Sequence, residues 1–477
     1  MLATIPVQVY SWDSFQVKHL GSFDRDCDGV IIPAANVRQS SNSYAWRPDL
    51  SIENTGIRPE RDGQRNPRPS PRQQPPLRPW SAFAFRDYRV LWLSSAAGLV
   101  TMQMRLLVTG VWLYDVTGSG LQLGLLGAVQ LAVQLPAILY GGALADQMDR
   151  KKLIAITQSF SFIFIGLMTL LVMFDQLVPW HVYAVTAILG VTSILGGPAR
   201  SAITANVVPR SHLLHAVTCN TATFQIGAIA APLAFTAIIE TLGVTAAFAA
   251  SAIFALPASA LPLLIRARME RSEGDGSMLQ RIWEGVVYVK SHPILPGLYI
   301  MDIGVTIVSF YRQIFPLIAD RMFSSGAGAV GIMSAANSVG GVLGTFAVLY
   351  MGRFRAKGMI VIYATLAYAI LLIAFGLSPY LWMGSILLVG LGATDAIGMT
   401  TRQTTVQLTT EDHMRGRAVS AHSVSAMSAN NLGTLEVGYM SDLIGANRTM
   451  ILGGIIGIIV VVAVWRLVRG VREYRYP

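Results

Sequence analysis

Between residues 89 and 468 the chain alternates twelve apolar stretches with short polar turns. They fall near 89–114, 121–145, 152–174, 180–206, 213–239, 244–265, 294–320, 327–351, 358–377, 381–403, 418–443 and 448–468. A spanning helix needs about 20 apolar residues. Hydrocarbon offers no partner to backbone N–H and C=O groups, so a chain of this pattern crosses a bilayer as helices. Composition agrees. The chain is 53% hydrophobic and 13% charged, whereas a soluble domain is roughly 25% charged. The expected fold class is an all-α polytopic membrane protein with 12 transmembrane helices. Its expected parts are a tail (1–80), a first six-helix bundle (81–266), a central polar amphipathic loop (267–292), a second six-helix bundle (293–470) and a short end (471–477).

The formal net charge is +10. Its placement follows the preference of Lys and Arg for cytoplasmic loops. Alternate turns carry Arg150, Lys151 and Lys152, then Arg200 and Arg210, the central-loop basic residues, Arg353, Arg355 and Lys357, Arg402, Arg415 and Arg417, and the arginines from Arg466 onward. The opposite turns carry only Arg321 and Arg448. Both termini are therefore expected inside a cell (inner) membrane. The bias accounts for most of the net charge without nucleic acid. The two cysteines, Cys27 and Cys219, do not read as a disulfide framework, and the seven histidines show no metal-ligand spacing. No nucleophile–base cluster and no phosphate-binding G-x-x-x-x-G-K-S/T occurs, so neither an enzyme, a cofactor nor an ATP-driven pump is expected.

The first 80 residues are a different material. The run RPERDGQRNPRPSPRQQPPLRP over 58–79 is rich in proline, which removes backbone donors, and poor in apolar surface. A disordered cytoplasmic tail is expected there. It reads either as a regulatory or partner-binding tail, or as a dispensable or translated upstream segment.

Sliding the chain against itself by 207 residues brings Arg105 onto Arg312, Gly124 onto Gly331, Gln130 onto Asn337 and Arg150 onto Lys357. Beyond the third and ninth spans the offset becomes 202. Trp180 then meets Trp382, Gly190 meets Gly392, Gly196 meets Gly398, Arg200 meets Arg402 and Gly243 meets Gly445. Six helices are followed by six more in the same orientation. Parallel repeats of this kind characterise a large class of secondary transporters, in which two bundles rock about a central site.

The turn between the second and third spans reads GGALADQMDRKK, Gly141 to Lys152. It resembles the signature loop of the major facilitator superfamily, with Gly142, Asp146, Arg150 and Lys151 matching and Gln147 and Asp149 departing. The Asp-Arg-Lys ending resembles the siderophore and drug exporter subgroup. So do MQMRLLVTGVWLYDVTGS (102–119), IWEGVVYVKSHP (282–293) and EDHMRGRAVS (411–420). The resemblance runs from 81 to about 470 and implies the major facilitator fold. The glycine-rich pattern of antiporters in the fifth span is incomplete: Gly227 and Pro232 are kept, but Ala231, Phe235 and Thr236 stand where glycines would. Reduced helix contact is expected there.

In the superfamily the signature loop closes the cytoplasmic side against the start of the eleventh span. That start is expected near Ala418, where a helix N-terminus would favour Asp146 by roughly 0.3–1 kcal/mol. The expected cytoplasmic gate is Gly142, Asp146, Arg150, Lys151, Arg200 and Arg402. Plain positive-inside anchoring is the alternative.

Ionisable residues within spans are functional candidates, since each costs roughly 2.5–3.5 kcal/mol on insertion scales. Arg105 and Arg312 lie roughly 25 Å from the cytoplasmic side at 1.5 Å per residue. The resemblance implies that their helices face each other, and a paired guanidinium site suits an anionic substrate. Snorkelling or an ion pair is the other reading, and Glu436 lies at the depth to pair with Arg312. Gln103, Gln130, Gln134 and Asn337 are further substrate-binding candidates or interhelical hydrogen-bonders. Asp302 and Asp395 fall at similar depth and, with Glu436, are the proton-coupling candidates, because neighbouring carboxylates do not both ionise cheaply. The expected function is secondary active transport by alternating access: efflux of a small organic molecule such as a siderophore or drug, in exchange for protons, by a monomer in the lipid bilayer. An uptake symporter, or a receptor or assembly factor of the same fold, is the alternative.

Overall fold

The computed structural model describes residues 80–267, 278–351, 354 and 356–475, and the side chains there except those of 139–147, 198, 202, 278–279 and 281–282. The expected disordered tail lies outside the described residues but for Trp80.

The first half contains α1 (Arg86–Thr117), α2 (Gly120–Gln147), α3 (Arg150–Met173), α4 (Pro179–Val207) and α5 (Leu213–Ala260). A short amphipathic helix, α6 (Met278–Ser291), leads to the second half. That half contains α7 (Leu295–Ile307), α8 (Phe315–Arg321), α9 (Gly328–Met351), α10 (Lys357–Gly376), α11 (Leu381–Thr409), α12 (Asp412–Ile444), α13 (Ala446–Leu467) and the short α14 (Arg469–Glu473). Ten stretches among the described residues are long and apolar enough to cross a bilayer. One of them, Arg210–Leu264, is 55 residues long and makes two crossings. Its reversal is at Gly243, with φ +81° and ψ 179°, a conformation only glycine adopts readily. Both arms return to the start of α1: Tyr88 Oη donates to the Ala216 carbonyl, and Arg86 donates to that of Leu264. The repeat mate Gly445, φ +88°, makes the matching reversal between α12 and α13. α12 falls short of the hydropathy of a free-standing span because its polar and small residues face α2 and α6 rather than lipid. With it, the crossings number twelve.

The seventh span is expected as one helix over 294–320, and it is two. Pro316 lacks the N–H that would bond the Arg312 carbonyl. The chain leaves the helix over 308–311, ahead of Pro316 in the first turn of α8, and the groups freed there find other partners: Ser309 Oγ donates to the Val305 carbonyl (2.6 Å), and the Ser309 carbonyl accepts from Tyr311 N–H (3.0 Å) and Tyr368 Oη (3.2 Å). Non-helical backbone at this depth requires such protein partners.

The halves meet along two seams, α2 on α12 and α5 on α9. Each seam needs a residue without a side chain. A Cβ on Gly124 would lie 3.0 Å from the Leu435 carbonyl oxygen, and one on its repeat mate Gly331 would overlap Pro232 O and Thr236 Oγ1. This corrects the expectation of reduced contact at the fifth span. The close approach is kept, with the glycine supplied by α9 instead of α5.

The face that carries the basic turns is called the basic face below, and its opposite the far face. At the far face the halves are bonded together. The Asp442 carboxylate, at the end of α12, accepts from Ser119 Oγ (2.6 Å), Gly120 N–H (2.8 Å) and Leu121 N–H (2.8 Å) at the start of α2. Glu240, its repeat mate by the 202 offset, accepts from Gly328 N–H (2.8 Å) at the start of α9. Two carboxylates thus cap two helix N-termini across the seams, where partial positive charge favours them. Tyr114 Oη donates to Asp320 (2.7 Å), and Arg321 donates to Asp442 (3.2 Å) and the Gly118 carbonyl (2.6 Å).

On the basic face, α6 lies beside α12. Glu284 pairs with Arg417 at 2.6 Å, and Trp283, Val286 and Val287 are exposed, as on a helix lying along an interface. Asp149, which departs from the signature pattern, caps α3 by accepting from Lys151 N–H (3.0 Å).

Candidate functional site

A cavity of about 570 Å³ lies within the first half, between α1, α3, α4 and the first arm of α5. It runs from Trp92 to Arg105 along α1, about 20 Å at helical rise. Its other walls come from the basic-face ends of α4 and α5, including Arg200, Ser201 and Asn220. The cavity therefore lies on the basic side of the far-face bonds. Gln134 Oε1 accepts from Asn431 Nδ2 (3.1 Å) across the α2–α12 seam, near mid-depth.

Two guanidinium groups enter this cavity. Arg105 sits at its deep end. Arg200 reaches in from α4 and fills the space beside Gly98, where an added Cβ would lie 3.6 Å from both terminal nitrogens. Among the described residues neither arginine has a carboxylate partner. Leaving two cations at membrane depth costs roughly 2.5–3.5 kcal/mol each on insertion scales, lessened where water enters the cavity.

Their repeat mates are neutralised. Arg312, in the 3-10 turn before α8, donates to Asp395 Oδ2 at 2.7 Å. Arg402 on α11 holds Asp302 on α7 at 2.6 Å, with each side chain 9% exposed. Two expectations are corrected. Arg312 pairs with Asp395, not Glu436. Arg105 and Arg312 do not form one anion site, because the charge of Arg312 is met within its own half. Arg402 is buried inside the second half, paired with Asp302. Asp302 and Asp395 are each held by a separate arginine, while remaining close enough for their charges to interact. Glu436 Oε2 is buried with no hydrogen-bond partner.

Of the remaining candidates, Asn337 is buried and donates to Tyr311 Oη (3.0 Å) and the Leu388 carbonyl (3.5 Å), binding α9 to its neighbours. Gln103 and Gln130 are half-buried on α1 and α2, away from the cavity lining. At the expected gate, the side chains of Gly142 and Asp146 lie outside the described residues. Lys151 Nζ reaches the Ile265 carbonyl (3.5 Å) within its own half. The N-terminus of α12 is at Asp412, and Ala418 is buried a turn and a half inside the helix, correcting its expected position. Ser95, Gln158, Ser193 and Asn220 line the cavity and are absent from the sequence-based candidates. The repeat offsets held a signal for two of them. Subtracting 207 from Asp302 gives Ser95, and subtracting 202 from Asp395 gives Ser193.

Two parallel six-helix halves, sealed at one face over a cavity, are the architecture of a major facilitator transporter. Solved structures agree in fold. The nucleoside transporter NupG superposes with a TM-score of 0.62 at 15% identity, covering 82% of this chain and 100% of that one. A bacterial homolog of the human lysosomal transporter Spinster, in an inward-facing and unoccupied conformation, gives 0.60 at 15% identity, covering 82% and 99%. A D-xylose–proton symporter gives 0.59 at 13% identity, covering 80% and 97%. The sequence profile of the transmembrane secretion effectors, a major facilitator family, matches residues 77–473, and the chain belongs to that family. Similar characterised relatives are the enterobactin exporter EntS of Citrobacter koseri, 24% identical over 399 residues (82% of this chain, 94% of the relative), and that of Escherichia coli O81, 25% identical over 360 residues (74% and 84%). The protein is a multi-pass membrane transporter.

Proposed function

We propose that the protein exports a small organic molecule, such as a siderophore or drug, from the cytoplasm across the inner membrane by alternating access, in exchange for protons. The carrying observation is the bonded far face above a cavity confined to the basic side. With the basic face cytoplasmic, as the positive-inside preference requires, both termini are inside and this state loads from the cytoplasm. Opening outward separates the carboxylate–helix contacts of Asp442 and Glu240, while the repeat-related seams act as the rocking axis. The outward direction draws its support from the exporter relatives. Glu436, alone of the three carboxyl candidates in having no arginine partner among the described residues, is the group assigned to proton exchange. The protein works as a monomer, since each chain carries both halves.

The test is retention of an anionic siderophore, a macrolide and a cationic dye in cells lacking their own exporters, with and without an uncoupler. Faster loss of one compound, abolished by the uncoupler and by Glu436→Gln, is expected. Accumulation in place of loss would reverse the direction. Loss that ignores the uncoupler would remove the proton coupling.

A further inference from the structure

The two halves repeat their arginines but not their carboxylates. In the second half Arg312 is held by Asp395 and Arg402 by Asp302. In the first half the repeat mates of those arginines are Arg105 and Arg200, and the positions equivalent to the aspartates carry Ser193 and Ser95. All four of these residues line the cavity. The correspondence extends beyond counting: the same offsets relate Gly243 to Gly445, which share a positive-φ reversal, and Glu240 to Asp442, which cap matching helices across the seams. The second half therefore shows what the first-half arginines would bond to if the protein supplied it.

We infer that the first-half cavity is the binding site of a small organic dianion, whose two acid groups take the places of the missing carboxylates beside Arg105 and Arg200. The guanidinium of Arg200 lies beside Gly98, and the backbone of Arg105 stands seven residues further along α1, about 10 Å by helical rise. Leu99 and Met102 supply apolar wall between them, Trp92 and Phe224 supply aromatic wall on the basic side of Arg200, and Thr101 and Thr192 are among the polar lining. The ligand this describes has an apolar or aromatic body with an acid group at each end. A guanidinium fork takes a carboxylate or phenolate through two parallel N–H donors. The serine hydroxyls at 95 and 193 leave room for it and add donors. A cation would meet two like charges with no counter-charge in the lining. The inference rests on the reading of this cavity as the transport site, but not on the direction of transport.

The experiment uses the purified full chain in lipid nanodiscs and isothermal titration with biphenyl-4,4′-dicarboxylate, its monoacid and its diamide. The dicarboxylate is expected to bind at least tenfold more tightly than the diamide, with the monoacid between. Arg105→Gln and Arg200→Gln should each weaken it tenfold or more. The discriminating variant is Ser95→Asp with Ser193→Asp, which recreates the second-half pairs. It should abolish dicarboxylate binding and leave the thermal midpoint unchanged or raised. Ser95→Ala with Ser193→Ala, which removes the hydroxyl donors but adds no charge, should weaken the dicarboxylate far less than the double aspartate variant does. Equal binding of diamide and dicarboxylate, absence of dicarboxylate binding to the unaltered protein, or undiminished binding in the double aspartate variant overturns the inference. Binding that follows this pattern in a protein giving no efflux would keep the anion site and remove the export reading. Uncoupler-sensitive efflux unaffected by either arginine change would do the reverse.

Discussion

Replacing Asp442 by Asn should unseal the far face. The carboxylate accepts three bonds from the start of α2, two of them backbone N–H groups held at 2.8 Å on separate oxygens. An Asn side chain keeps one acceptor and turns its NH2 toward a donor. At least one hydrogen bond to a charged group is lost, worth about 1.5–3 kcal/mol. The favourable charge at the α2 N-terminus goes too, worth about 0.3–1 kcal/mol. Arg321 adds little, because its side chain is 38% exposed. These contacts join the halves, so their loss falls on the far-closed state alone. A bias of about 2–4 kcal/mol corresponds to roughly a 30- to 700-fold shift toward opening, at 1.4 kcal/mol per tenfold. The shift is read by the reaction of Gln130→Cys with a membrane-impermeant maleimide added from the far side, with Cys27 and Cys219 replaced by Ser. Position 130 lies ten residues into α2, about 15 Å below the seal. The rate should rise at least 30-fold with Asp442→Asn and stay level with Arg448→Gln, an exposed far-face change. A rise below threefold, in protein of unchanged thermal midpoint, would refute the assignment of the seal.

Gly331→Val places a side chain into Pro232 O and Thr236 Oγ1, and overpacking of this kind costs about 1–3 kcal/mol. A lower thermal midpoint is expected, whereas Gly341→Val, with open space around it, should change little. Gly243→Ala meets no neighbour within 4 Å, so its cost is backbone strain alone, about 1–3 kcal/mol, and the midpoint should fall without any change in residues packed nearby. Asp302→Asn leaves Arg402 buried without its counter-charge and should destabilise by about 3–5 kcal/mol, while Asp302→Asn with Arg402→Met should recover most of the loss in the same melting assay.

Much of the architecture was legible in the order of residues, because lipid imposes a rule that acts on each segment separately. An apolar run of about 20 residues must satisfy its own backbone, so the twelve crossings could be placed without knowing their neighbours. Even α12, too polar to pass a hydropathy threshold, is a helix over Asp412–Ile444 that contains the expected 418–443. The repeat was legible as well, through Arg105 and Arg312, Arg200 and Arg402, and Gly243 and Gly445. Where neighbours decide, the sequence was silent or misleading. The break in the seventh span depends on Pro316 and also on Tyr368, which lies in another helix and accommodates the freed carbonyl. The Gly331 contact carried by α9 repairs a seam that looked deficient from α5 alone. Depth along a helix suggested Glu436 for Arg312, but pairing is settled by which face of which helix turns inward, and that gave Asp395. For the same reason the place of Arg200 in the cavity wall, beside Gly98, was not legible from its position near the end of a span. Charge type and depth are properties of one segment and can be counted along the chain. Whether a charge is neutralised is a property of two segments, fixed only when their helices are packed together.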